Sequence, residues 1–285
     1  MYAPNFAAPQ SIDDAVRMLD ADGAKPLSGG TDLIVQMRSG RNRPDHIVDL
    51  KRVPGLLGIK AEGAGFRVGA ATPGAALGED KALVAAYPGI VEGAELIGST
   101  QVQGRASLAG NLCNASPAAD SVPAMAACGV TAVVVGPNGE REVAVQDIPA
   151  SPGKTSLAKG EFVKEFVLPA LPAKSGDAYL RFIPRTEMDI AVVGAGVQIV
   201  LADDGTVAKA SVWLGAVAPT IVEVDASCLV GTKLDDAAMA KLDAAAQSVC
   251  NPIDDKRGTI EYRTKVAGVM ARRTAEIAFK RAGAR

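Results

Sequence analysis

A chain of 285 residues, 48% hydrophobic and 22% charged, has room for two or three small domains or one large one and is too apolar to stay disordered. A net charge of −2 leaves no electrostatic footprint for nucleic acid, and the longest apolar run, Ile190 to Ala202, is broken by Gly194, Gly196 and Gln198 short of a membrane span. Four scattered cysteines without a C-x-x-C, and a single histidine, argue against an internal iron–sulfur or zinc site and against a histidine-based hydrolytic triad.

The opening "MYAPNFAAPQS" lacks the basic start and apolar stretch of a signal peptide, so a cytoplasmic protein with reduced thiols is expected. Ser11 begins the first predicted helix. "SIDDAVRMLDADG" has an N-cap serine, an acid three residues on, apolar residues at Ile12, Ala15, Val16 and Leu19, and Gly23 as terminator. A short strand is predicted at Ala24 to Leu27, then "SGGTD", then a helix in "LIVQMRSG" closed by Gly40. "HIVDL" and "GFRVGAA" read as short strands, giving a small α/β unit.

Ala75 to Ile97 carries alanine-rich helical patterning with a break at Pro88–Gly89. The stretch "GSTQVQGRASLAGNLCNASPAAD" (98–120) is too small and polar for a core strand and too glycine-rich for an ordinary helix. "SVPAMAACG" follows as a helix, "TAVVVGPNGEREVAV" as a hairpin and "EFVKEFVLP" as a strand. Composition shifts at "PALPAKSGD", the predicted boundary. Beyond it lie three strands, in "AYLRFIPR", "IAVVGAGVQIVLADDG" and "AKASVWLGAV", and two helices, near Asp235 to Val249 and Ile260 to Ala282.

Successive glycines let main-chain N–H groups face one point, which suits an anion, above all a phosphate, beside a helix start. "SGGTD" admits two readings: such a nest, or a tight strand-to-helix turn with Thr31 or Asp32 as N-cap. "SLAGN" (107–111) supplies a second small-residue run, and two nests suit a ligand with two phosphates such as a dinucleotide. With so little net charge, backbone dipoles would have to carry the pyrophosphate. "VVGAGVQIV" imitates a dinucleotide fingerprint, yet Ile199 stands at the third glycine and the run sits in a strand, so close strand packing is expected. "PGKT" (152–155) lacks the frame of a P-loop and reads as a surface loop, and His46 opens an apolar strand in a structural position. The basic tail "ARRTAEIAFKRAGAR" reads as a solvated helix face, with a surface for an acidic partner as the alternative.

"LSGGTDL" and "GRASLAGNLCNASPAAD" together resemble the two FAD-binding motifs of the flavoprotein subunit of the molybdenum hydroxylases, the family of xanthine dehydrogenase, carbon monoxide dehydrogenase and aldehyde oxidoreductases. "FIPRTEMDIAVVGAGV" and "WLGAVAPT" resemble that family's C-terminal domain, so the likeness covers nearly the whole chain. It implies an α+β molecule: two subdomains of the vanillyl-alcohol-oxidase type with FAD between them, then a three-stranded antiparallel sheet with helices. The implied division is 1–56, 57–172 and 173–285. By the same resemblance Pro26, Leu27, Ser28, Gly29, Gly30, Thr31, Asp32 and Leu33 form the first cofactor motif. Ser107, Leu108, Ala109, Gly110 and Asn111 form the second, with Asp120 on a ribose hydroxyl, Ile97 and Val163 against FAD, and Arg181 near the flavin ring. Ala109 stands where the family has glycine and Arg181 where it has lysine.

No histidine lies near either motif, and Cys113 reads as a packing residue, so the resemblance implies non-covalent FAD. Molybdenum cofactor and iron–sulfur clusters would then sit only on partner chains: a large molybdenum subunit and a small iron–sulfur subunit, as a dimer of three-subunit units. The chain would take electrons from the iron–sulfur subunit and pass them to a terminal acceptor, with no catalytic acid–base pair of its own. The alternatives are a stand-alone FAD oxidoreductase, for which the sequence has few aromatic or histidine side chains, and a non-enzymatic nucleotide-binding protein whose glycine loops are only turns.

Overall fold

Parallel strands need crossovers, and the first fifty residues supply two. The computed structural model describes residues 3–285. In it β1 (Asn5–Ala7), β2 (Ala24–Leu27) and β3 (His46–Asp49) form a parallel sheet in the order β1–β3–β2. The crossovers are α1 (Ile12–Leu19) and α2 (Leu33–Arg38). The Ser11 hydroxyl accepts the Asp14 N–H at 3.1 Å, and Gly23 turns the chain with φ +68°.

A second, antiparallel sheet follows. β4 (Ile59–Glu62) and β5 (Gly65–Gly69) pair at one edge. Six short helices come next: α3 (Gly74–Glu79), α4 (Lys81–Ala86), α5 (Pro88–Glu95), α6 (Thr100–Gln103), α7 (Leu108–Cys113) and α8 (Ser121–Ala127). β6 (Thr131–Gly136) and β7 (Gly139–Ala144) make the predicted hairpin. A small hairpin of β8 (Pro149–Ser151) and β9 (Lys154–Thr155) leads into β10 (Phe162–Leu168). The sheet order is β4–β5–β10–β6–β7.

Three expectations change here. The helical region breaks at Asp80 as well as at Pro88, because the Asp80 carboxylate accepts the N–H groups of Ala82 and Leu83 and caps a new helix. The glycine-rich stretch holds two short helices, with Ser107 capping α7 by accepting the Gly110 N–H at 3.1 Å. "PGKT" stays at the surface but is not a plain loop: Pro152–Gly153 form the turn of the β8–β9 hairpin, with Gly153 at φ +74°, and Lys154–Thr155 are β9.

The third sheet is an antiparallel meander of β11 (Ser175–Phe182), β12 (Val193–Leu201), β13 (Val207–Gly215) and β14 (Val222–Val224). The three predicted strands are present, and three-residue β14 extends them. Helices α9 (Asp236–Ser248) and α10 (Ile260–Gly283) follow. Ala267, Ala271, Ala275, Ala278 and Ala282 run as one buried stripe along α10, so the helix sits low on the sheet. A Cβ on Gly176 would come within 2.3 Å of the Ala278 carbonyl oxygen. The imitation fingerprint has the same use: a Cβ on Gly196 would lie 2.3 Å from the Pro123 carbonyl carbon, so β12 meets α8 backbone to backbone.

Helix α5 joins the second and third sheets. The Asp177 carboxylate on β11 accepts the Gly89 N–H at 2.8 Å, capping α5 from a distant strand. Glu92 accepts the Tyr179 N–H at 3.0 Å and pairs with Arg281 of α10. Arg285 donates to the carbonyl oxygens of Ala85 and Ala86.

Candidate cofactor-binding site

The first glycine motif leaves the C-terminal end of parallel strand β2, the edge at which open α/β sheets bind ligands. Gly30 has φ +79°, a left-handed angle that glycine adopts without a side-chain penalty. The Ile34 N–H donates to the Gly30 carbonyl at 3.1 Å and starts α2. Asp32 holds the N-cap position but makes no capping bond. Among the described residues, no acceptor takes the N–H groups of Gly29, Gly30, Thr31 or Asp32. These are donors without a protein partner on a cavity wall, which is what an anion requires.

The second motif packs directly on the first. A Cβ on Gly29 would lie 1.8 Å from the Arg105 carbonyl oxygen, so only glycine lets the two loops touch. The Ser28 and Ser107 hydroxyls lie 2.9 Å apart and fasten the loops together. Further along, Gln36 Nε2 donates to Asn114 Oδ1 at 3.0 Å, tying α2 to the end of α7, and Asn42 Nδ2 donates to Gln36 Oε1 at 3.3 Å and steadies that side chain. Asn111 Oδ1 accepts from both the N–H and the hydroxyl of Ser121, fixing α7 to α8.

Between these loops and the second sheet opens a cavity of about 1160 Å³. That exceeds the ~300–1,000 Å³ of pockets for drug-sized ligands and gives space for a dinucleotide. Every residue from Pro26 to Leu33 lines it, as do Ile97, Ser107, Ala109, Gly110, Asn111 and Val163. Leu108, Asp120 and Arg181 stand off the wall: Leu108 is packed into the core at 2% exposure, and the other two bind each other. Sequence reasoning missed much of the opposite wall, which comes from Ala70–Ala71 at the end of β5 and from Leu157 to Phe162 before β10. Gly153 and Gly160, both with positive φ, were the available signal for that wall, since glycine turns mark where the chain bends around a ligand space.

The cavity is electrically balanced. Lys25, Arg41 and Lys159 are its cations; Asp22, Asp32 and Glu161 are its carboxylates. A diphosphate held there rests on main-chain donors, in line with the neutral composition. Burial pushes the Asp32 carboxyl above its usual range. Burial also pushes the Cys113 thiol up to about 12, so it carries no thiolate at neutral pH and is a poor nucleophile. His46 lies in the β1–β3–β2 ladder opposite Asn5 and Ala24, away from the wall. Among the described residues there is no grouping of three or more His, Cys, Asp or Glu able to hold a metal ion. The donors, volume and charge balance fit FAD, and the chemistry available to the side chains alone is binding and orientation.

Behind the cavity, the Arg181 guanidinium donates to Asp120 Oδ2 at 3.0 Å and to the Leu96 carbonyl at 2.8 Å. The buried Tyr179 hydroxyl donates to Asp120 Oδ1 at 2.9 Å. Burial, only partly offset by Arg181 and Tyr179, pushes the Asp120 carboxyl up to about 6. Leu96 precedes the wall residue Ile97, and the wall residue Pro117, whose carbonyl accepts the Ala216 N–H at 2.7 Å, stands three positions before Asp120. The third sheet therefore braces one edge of the cavity.

Residues 2–171 match the family described as the FAD binding domain in molybdopterin dehydrogenase, and residues 178–278 match the CO dehydrogenase flavoprotein C-terminal domain. The carbon monoxide dehydrogenase medium chain of Afipia carboxidovorans is 36% identical over 282 residues, covering 98% of this chain and 97% of the relative. The corresponding medium chain of Hydrogenophaga pseudoflava is 32% identical over 287 residues, covering 99% of each. A chain in the crystal structure of the cyanide-inactivated Cu,Mo-CO dehydrogenase superimposes with a TM-score of 0.93 at 35% identity, covering 98% of both chains.

Proposed function

The chain belongs to the family of FAD-binding subunits of the molybdopterin dehydrogenases, the molybdenum hydroxylases, and from that premise we propose that Ser28–Leu33 and Ser107–Asn111 hold the FAD diphosphate between them. The chain is the FAD-carrying electron-transfer subunit of a multi-subunit oxidoreductase of this family, whose molybdenum and iron–sulfur centres lie on partner chains. FAD, when bound, supplies the redox chemistry, because its ring system accepts electrons singly and gives them up in pairs. The observation that carries the site assignment is the run of unpartnered N–H groups from Gly29 to Asp32 on the cavity wall.

The protein's own residues bind and orient. Gly29 and Gly30 allow close approach of the backbone, the Ser28–Ser107 contact holds the two loops at a fixed separation, and Ala109 and Gly110 bring the first turn of α7 to the wall. Ile97 and Val163 contribute apolar surface that excludes water from the cofactor. Asp120 and Arg181 act on the cavity through Leu96 and Pro117, in place of the direct cofactor contacts that the resemblance implied. Residues 1–56 and 57–172 are the two FAD subdomains and 173–285 the brace, a division supported by the separate sheets. The assembly is a dimer of heterotrimers in the cytoplasm, a reading supported by the family. Among the described residues no helix is long and apolar enough to cross a membrane.

Purification of the complex and its absorption spectrum test this reading, together with Gly110→Asp. A Cβ at Gly110 would meet only the Ser107 hydroxyl, at 3.3 Å, so the fold tolerates the change while a carboxylate enters the diphosphate space. Wild-type complex is expected to hold one flavin per chain and Gly110→Asp almost none. Full flavin content in the variant would refute the site.

A further inference from the structure

The first phosphate loop has a support that is not itself on the cavity wall. Lys51 lies in the 3₁₀ turn that follows β3, and its Nζ donates to the Ser28 carbonyl at 2.9 Å and to Asp49 Oδ1 at 2.5 Å. Asp49 Oδ1 also accepts the Lys51 N–H at 3.1 Å, so the ammonium is pinned at both ends of its own residue. Both side chains are largely enclosed, at 23% and 14% exposure. Leu50 lines the cavity and Lys51 does not, which places the ammonium behind the loop.

We propose that Lys51 is a positioning residue for the FAD diphosphate, acting by fixing the Ser28–Gly29 peptide plane; this rests on the FAD assignment above. In a trans peptide the C=O and the following N–H point in opposite directions, and no described peptide here is cis. Anchoring the Ser28 oxygen on Lys51 therefore aims the Gly29 N–H the opposite way. That N–H is the first of the four donors without a protein acceptor. The Ser28–Ser107 contact and the packing of Gly29 on Arg105 hold the loop in place, and the Lys51 bond adds the constraint on the direction of the Ser28 carbonyl itself. The ion pair with Asp49 cancels the charge of the ammonium, so its effect is on direction rather than on long-range attraction.

The test measures ligand affinity of the purified complex, stripped of flavin, by equilibrium dialysis. The probes are FAD and riboflavin, which has the same ring but no phosphate. Lys51→Met is expected to weaken FAD binding about tenfold, the scale of one lost charge-assisted hydrogen bond, and to leave riboflavin binding unchanged. The factor should be the same at low and high salt. Asp49→Asn should also weaken FAD binding, because the ammonium loses its anchor; an effect through charge would instead tighten it. Unchanged FAD affinity in Lys51→Met, an equal loss for riboflavin, a loss that vanishes at high salt, or tighter binding by Asp49→Asn each overturns the proposal. If Lys51→Met does not fold, Asp49→Asn decides alone: weaker FAD binding supports it and equal or tighter binding overturns it. Failure of the wild-type complex to bind FAD would overturn the underlying assignment instead.

Discussion

Arg181 and Asp120, 61 positions apart, form an ion pair at 3.0 Å in which the side chains are only 4% and 10% exposed. Removing one partner of such a pair strands the other charge in a medium that solvates it poorly. Arg181→Met should cost about 3–5 kcal/mol of stability. Arg181→Lys should cost less, about 1–2 kcal/mol, since one ammonium cannot match a guanidinium that serves both Asp120 and the Leu96 carbonyl. Denaturant unfolding of the flavin-free protein measures both, and equal stability of all three proteins would contradict the buried-pair account.

The pH dependence of stability should run opposite to ordinary acid denaturation in one window. Asp120 and Asp177 are both pushed up to about 6, in each case chiefly by burial. One Asp177 oxygen is enclosed with no hydrogen-bond partner. Between about pH 4 and 6 the folded protein keeps protons that the unfolded chain has released, so stability falls as pH rises through that range and levels off above it. The cost is on the order of 3 kcal/mol per group at most. Asp189, lowered to about 2 first by its hydrogen bond to Arg185, acts in the opposite sense but below pH 4. Melting midpoints from pH 4 to 7 should decline, and Asp177→Asn, which keeps an acceptor for the Gly89 N–H, should flatten the decline. A rising profile would contradict this.

Gly29→Ala and Gly110→Ala separate steric closure of the loops from simple crowding. At Gly29 a methyl would meet backbone at 1.8 Å and must part the two motifs; at Gly110 it meets a hydroxyl at 3.3 Å. FAD retention should collapse in the first and survive in the second within about a factor of ten, one lost hydrogen bond's worth. Flavin content per chain after gel filtration gives the answer.

Gly196→Ala should destabilise by about 1–3 kcal/mol, the usual cost of overpacking, because its Cβ would strike the Pro123 backbone at 2.3 Å. Thermal unfolding reads the shift. An unchanged midpoint would mean that α8 is free to lift from β12.

Long-lived local signals made most of the elements readable. Valine-rich β6 and β12, the Ser11 cap and the Gly23 turn each declare themselves within a few residues. Three-residue strands such as β1 and β14 do not, since pairing partners rather than periodicity create them. The glycine motifs were legible at the site because close approach leaves only one residue type available. The wall from Leu157 to Phe162 was not, because it is defined by where β10 joins β5 and β6. Nor could Asp120 and Arg181 be read as a pair: nothing in "SPAAD" or "AYLRF" announces that β11 will lay Tyr179 and Arg181 against the start of α8.

The bonds holding α5 set an order of events during synthesis. Its first turn is capped by Asp177, its Glu92 is paired by Arg281, and the carbonyls of Ala85 and Ala86, at the end of the preceding helix α4, are met by Arg285. At usual translation speeds the ribosome needs roughly 10–40 s to travel from the end of α5 to that residue. A nascent chain halted before Arg281 should therefore be cut by protease around α5, while one in which Arg281 and Arg285 have emerged should resist. Flavin loading is then expected only once these closing arginines have left the ribosome.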